Sequence, residues 1–160
     1  MQPDNKNIIK EIHNYFKRKD LTLSVAESCT GGLITSLITD LPGASDFFDS
    51  GITTYSDGSK SDLISVQSTT LIKDGSVSEK TARQMAEGIR RLRKTDYSLS
   101  VTGNLGPTAI EGKDVGLVYF AATSSGGTYS KEMTFSGTRK QIKRQAASYA
   151  LQFLNHVTDL

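Results

Sequence analysis

A single cysteine, two histidines, no long apolar run and a net charge near zero set the first limits on this chain of 160 residues. One cysteine, Cys29, excludes an internal disulfide framework and suits a reducing cytoplasm. His13 and His156 lie in terminal segments with helical patterning, away from any motif, and read as surface or helix-packing side chains. No histidine is thus placed for a Ser-His-Asp triad, and one cysteine with two scattered histidines cannot make a usual zinc site. No stretch approaches the roughly 20 apolar residues of a membrane helix. The opening residues, Met1 to Lys6, lack the charged-then-apolar layout of a signal peptide. A formal charge of +2 is too small to argue for nucleic acid. These absences predict a cytoplasmic protein with no metal and with neither a membrane nor a nucleic-acid partner. An enzyme made from this chain would take its base from lysine, tyrosine or a carboxylate.

The residues that are present alternate between helical and strand patterns. Ile8, Ile9, Ile12, Tyr15 and Phe16 predict an amphipathic helix over 5–18. A strand at 21–25 and a helix at 30–40 follow, then a turn at Pro42-Gly43. The run 51–56 is rich in β-branched residues and reads as a strand. A short helix is expected near 60–65. A longer one opens at Ser78, with Ala82, Met85, Ala86, Ile89 and Leu92 on its buried face. A strand at 97–102 runs into the loop Gly103-Asn104-Leu105-Gly106-Pro107. Strands at 115–123 and 128–135 form a hairpin across Gly126-Gly127. Thr138 and Gln141 make a capping box for a last helix reaching Val157. Helix–strand alternation closed by a hairpin predicts one domain: an α/β fold, a three-layer α/β/α sandwich around a mixed β-sheet.

Three clusters can carry chemistry. In Glu27-Ser28-Cys29-Thr30-Gly31-Gly32 a strand turns into a glycine-opened helix, a place for a nucleophile and for backbone N–H groups that hold an oxyanion. The same residues suit a plain turn capped by Ser28 or Thr30, and nothing local chooses between Ser28 and Cys29. Tyr55 and Lys60, five residues apart across a turn, can supply a proton relay and a base; separately they suit an edge tyrosine and a solvated lysine. Arg139, Lys140, Lys143 and Arg144 crowd the first turns of a helix, where the dipole disfavours cations unless an anion such as a phosphate binds.

Taken together, 26–32, Pro42-Gly43-Ala44-Ser45, 51–56 with Lys60, 75–79, Met85-Ala86-Glu87-Gly88, Val101-Thr102-Gly103 with Gly106-Pro107, and Val115-Gly116 resemble the C-terminal domain of the competence/damage-inducible protein CinA family. The likeness runs from about residue 7 to 155. It implies a nicotinamide mononucleotide (NMN) amidohydrolase, releasing ammonia and nicotinic acid mononucleotide in pyridine nucleotide salvage. It also implies Ser28 as nucleophile, Tyr55 and Lys60 as its catalytic companions, and Arg139 as a further site residue. The expected site thus has Ser28, Tyr55 and Lys60 acting on a small nucleotide held by Thr30, Gly31, Thr102, Gly103, Asn104 and Arg139. Neither metal nor organic cofactor is needed, and a homo-oligomer is expected. The chain departs from the family pattern at Asp57, at Asn104-Leu105, and at 108–112, where Thr-Ala-Ile-Glu-Gly replaces a glycine run. Two other classes of function fit: a nucleotide-binding module without turnover, and an interaction domain acting through oligomerisation.

Overall fold

A computed structural model describes residues 3–158. Its element order is α1 (Pro3–Lys19), β1 (Leu23–Glu27), α2 (Leu33–Thr39), a 3-10 turn (Ala44–Asp46), β2 (Phe48–Thr53), α3 (Asp57–Ile64), α4 (Ser68–Lys73), α5 (Glu79–Arg93), β3 (Tyr97–Gly103), β4 (Leu117–Ser124), β5 (Gly127–Thr134) and α6 (Arg139–Thr158). The five strands form one mixed sheet in the order β2-β1-β3-β4-β5. β1 runs parallel to both β2 and β3, whereas β4 is antiparallel to β3 and β5.

The alternation of side chains along the strands makes two different faces. One carries Leu23, Val25, Leu99, Val101, Val118 and Phe120, and α1, α2 and α6 cover it with Ile9, Phe16, Ile34, Ile142, Leu151 and Leu154. The other carries Ser24, Ala26, Ser98, Ser100 and Ala121, all buried beneath α5. Small side chains there let α5 approach closely. Ser98 and Ser100 donate their hydroxyls to the Ala86 and Ala82 carbonyls of α5 at 2.6 and 2.5 Å. The apolar row Ala82, Met85, Ala86 and Ile89 seats α5 as expected, but Leu92, one turn further along the same face, is 51% exposed. α4 has no counterpart in the sequence reading. The strand placed at 51–56 starts and ends earlier, at Phe48 and Thr53. His13 is buried against α2, its Nε2 donating to the Ile38 carbonyl at 2.9 Å.

β1, β2 and β3 all point their C-terminal ends to one edge of the sheet. The chain leaves β1 for one neighbour and returns to the other, the topology that opens a crevice beyond the strand ends. Into that crevice come the turn after β1, the turn after β2, the loop after β3 and the start of α6.

Candidate active site

Glu27 ends β1 with its side chain fully buried. Its carboxylate accepts from the Thr30 hydroxyl at 2.6 Å, the Gly32 and Ile34 amides at 3.1 Å, and the Thr35 amide and hydroxyl at 2.8 and 2.9 Å. It therefore caps the short α2 from inside the fold and matches the positive end of that helix. This corrects the expectation that the first amides of a helix at 30–40 would be open to an oxyanion. The Gly31 and Leu33 amides are also taken, by the carbonyls of Ser28 and Thr30. The Ser28 amide donates across to the Val101 carbonyl at 3.0 Å, so the amides of Cys29 and Thr30 are the ones outside the Glu27, turn and strand pairings.

Ser28 follows Glu27 and is 7% exposed. Lys60, on α3, is 1% exposed, and its Nζ donates to Ser28 Oγ at 3.0 Å. The other partners of Nζ are the Thr54 and Tyr55 carbonyls, at 3.0 and 3.4 Å. All three acceptors are uncharged. Burial pushes the Lys60 ammonium below the ordinary lysine range, with Asp57, Cys29 and Glu111 opposing the shift. Placement of Lys60 starts with the capping box of α3, in which Ser56 and Ser59 bond each other's amides at 3.1 Å.

Cys29 is also 7% exposed, but it belongs to the apolar core, and burial raises its thiol to about 12. A thiol so far above neutrality supplies almost no thiolate. Tyr55 is 60% exposed, and its hydroxyl accepts from Arg139 Nη2 at 2.8 Å. Arg139 Nη1 donates to the Gly106 carbonyl at 2.5 Å, so one guanidinium ties the turn after β2 to the loop after β3. Arg139 forms no ion pair with a carboxylate among the described residues.

A cavity of about 110 Å³ lies between these groups, lined by Ser28, Cys29, Tyr55, Lys60, Thr102, Gly103 and Arg139, with Ser76, Val77, Leu105 and Ile110 completing its walls. Ser28, Tyr55, Lys60, Thr102, Gly103 and Arg139 thus meet at one place. Thr30 and Asn104 do not line it. Thr30 serves Glu27, and Asn104 is buried holding the Lys113 carbonyl and the Gly106 amide. Gly31 lies outside the cavity, at φ +58 beside Lys143; a Cβ there would come within 3.4 Å of the Lys143 ammonium. Ser76 and Val77 lie in the 75–79 stretch that carries part of the family likeness, but neither side chain suggests a site by itself. Their position just ahead of the Ser78 cap of α5 was a further signal.

The model of the CinA C-terminal domain family matches residues 5–158. The chain belongs to that family. A "CinA-like protein" of Endomicrobium trichonymphae is 42% identical over 152 residues, which cover 94% of this chain and 36% of that protein. The chain spans about a third of the length of the curated relatives it matches. Solved CinA-type structures superpose over nearly their full extent. The competence/damage inducible protein CihA of Agrobacterium tumefaciens gives a TM-score of 0.94 at 33% identity, covering 100% of this chain and 98% of that one. The CinA superfamily protein of Enterobacter cloacae gives 0.91 at 32%, covering 94% and 90%. The mixed sheet, its helical layers and the crevice at the strand ends are therefore the CinA C-terminal fold. No helix among the described residues is long and apolar enough to cross a membrane.

Proposed function

We propose that this CinA domain hydrolyses the carboxamide of NMN, with Ser28 as nucleophile and Lys60 as base. The observation that carries this reading is the 3.0 Å contact between Lys60 Nζ and Ser28 Oγ, made by a lysine 1% exposed and without a charged partner in its hydrogen bonds. A neutral Lys60 takes the serine proton as Oγ attacks the amide carbon. The tetrahedral oxyanion faces the turn after β1, where Cys29 lines the cavity and its amide is not taken by Glu27. The C–N bond then breaks, and the proton held by Lys60 passes to the departing nitrogen, directly or through the Tyr55 hydroxyl, releasing ammonia. Water attacks the Ser28 ester, Lys60 moves its proton to Oγ, and the acid leaves. At about 110 Å³ the cavity is smaller than the roughly 300 Å³ and more of whole-ligand sites. It suits the reacting end of the nucleotide, leaving sugar and phosphate at the mouth beside Arg139.

Ammonia release from NMN tests the reading. Ser28→Ala should lower turnover at least about a thousandfold, while Cys29→Ala should keep it within about threefold. A dead cysteine variant beside an active serine variant would assign the reaction to the thiol.

A further inference from the structure

The loop after β3 folds back on itself where Ile110 pairs with Lys113 as an antiparallel bridge. The two residues between them, Glu111 and Gly112, both take left-handed backbone, at φ +56 and +68. Glycine, asparagine and aspartate suit such a turn; glutamate does not. The Glu111 side chain supplies the reason for its presence. Oε1 accepts from the Ser76 amide at 3.0 Å and the Ser76 hydroxyl at 2.9 Å, and Oε2 accepts from the Val77 amide at 3.3 Å. Lys113 Nζ lies 3.9 Å from Oε2 and donates to the Asp74 and Val77 carbonyls. Ser76, Val77 and Ile110 are all cavity wall. A carboxylate is thus fixed to the back of the wall that faces Ser28 and Lys60.

We infer that Glu111 is a specificity-determining residue: its carboxylate, held on Ser76 and Val77, sets the cavity against ligands with a carboxylate at the reacting end. The inference rests on the amidase reading of the same site. Amide hydrolysis turns a neutral carboxamide into an anion at the spot where the substrate was held. Arg139 attracts that anion, and a fixed negative charge in the wall offsets it. Although burial works to raise it, hydrogen bonds from Ser76 and Val77 and the Lys113 ammonium hold the Glu111 carboxyl below its usual range, so the charge is present at neutral pH. The charge sits directly behind the cavity surface, since Ser76 and Val77, whose amides hold it, line the same cavity as Ser28 and Lys60. Across a partly screened wall the repulsion should weaken the acid by about three- to tenfold relative to the amide.

Calorimetry at neutral pH tests this, with NMN and nicotinic acid mononucleotide titrated into Ser28→Ala protein that does not consume the amide. Adding Glu111→Gln should tighten the acid by about three- to tenfold and move the amide less than about twofold. Glu111→Asn, which suits the left-handed turn, is a second neutral variant with the same expectation. Glu111→Asp keeps the charge on a shorter reach and should keep the acid weak. An unchanged ratio of the two affinities in the neutral variants, or an aspartate variant that behaves like them, would assign Glu111 to holding the loop and overturn the inference alone. Binding of neither ligand before Glu111 is altered would overturn the amidase reading and the inference with it.

Discussion

Lys60 sits in a protein interior with only neutral oxygen atoms on its ammonium, a costly arrangement for a charge. Lys60→Met should therefore stabilise the fold while destroying the proposed activity. The expected gain is on the order of 1 kcal/mol, or about 2–4 °C in Tm. Because burial depresses the folded-state pKa, the gain is full below that pKa and fades as pH rises towards about 10.4, where the unfolded lysine also loses its proton. Ammonia release should fall by about 10²–10⁴, and the rise of rate with pH through the Lys60 pKa should vanish. A melting curve and a pH–rate profile check both halves; a variant with wild-type rate and profile would remove Lys60 from the mechanism. Ser28, Tyr55 and Lys60 were legible in the sequence through the family resemblance, since their local spacing also suits a capped turn, an edge tyrosine and a solvated lysine. The work of Glu27 was not, since a helix cap is sought beside the helix. Glu27 reaches α2 from six positions ahead of Leu33, through a turn only the folded chain brings round.

α3 carries Lys60, and its position depends on α5. A Cβ on Gly88 of α5 would lie 1.8 Å from the Ile64 carbonyl oxygen at the end of α3, so only glycine permits this approach. Gly88→Ala must push the two helices apart. The expected cost is about 2–3 kcal/mol in a urea titration. Displacing Lys60 from Ser28 by even an ångström should cost roughly a hundredfold in turnover. An alanine variant that unfolds normally but loses turnover would show α3 moving as a unit; one unchanged in both would mean that the contact yields freely. α5 was readable from its period because one face is buried along most of its length. Leu92 failed that pattern in the last turn, where it is 51% exposed. α4 is six residues without an apolar period or a side-chain cap, and gave no signal. β2 was drawn towards the β-branched run at 52–54. Its true span follows from pairing Phe48 to Thr53 along β1, a long-range fact.

Across the whole molecule, layers and mixed sheet followed from the order of helices and strands, but strand order did not. It rests on contacts between β1 and β3, which a local pattern does not encode. Nor could spacing reveal that α6 begins at the same edge as the three parallel strand ends. That placement brings Arg139 to the cavity mouth and Lys143 beside Gly31. An arginine on a phosphate makes charge-assisted bonds of about 1.5–3 kcal/mol each. Arg139→Ala should thus lower kcat/KM for NMN by about 10- to 100-fold and scarcely change it for nicotinamide riboside, which has no phosphate. An equal loss on both substrates would instead place Arg139 in support of Tyr55, whose hydroxyl it already holds at 2.8 Å.

The sheet order also has a kinetic consequence. β3, β4 and β5 are successive antiparallel strands, with α5 packed on them, and can assemble through contacts near in sequence. β1 joins β3 only after the chain between them has closed a long loop, the slower kind of event. Ser28, Tyr55 and Lys60 all lie on the late-joining side. The half that carries these three residues should therefore open first, which hydrogen exchange would read as weaker amide protection in β1 and β2 than in β4 and β5.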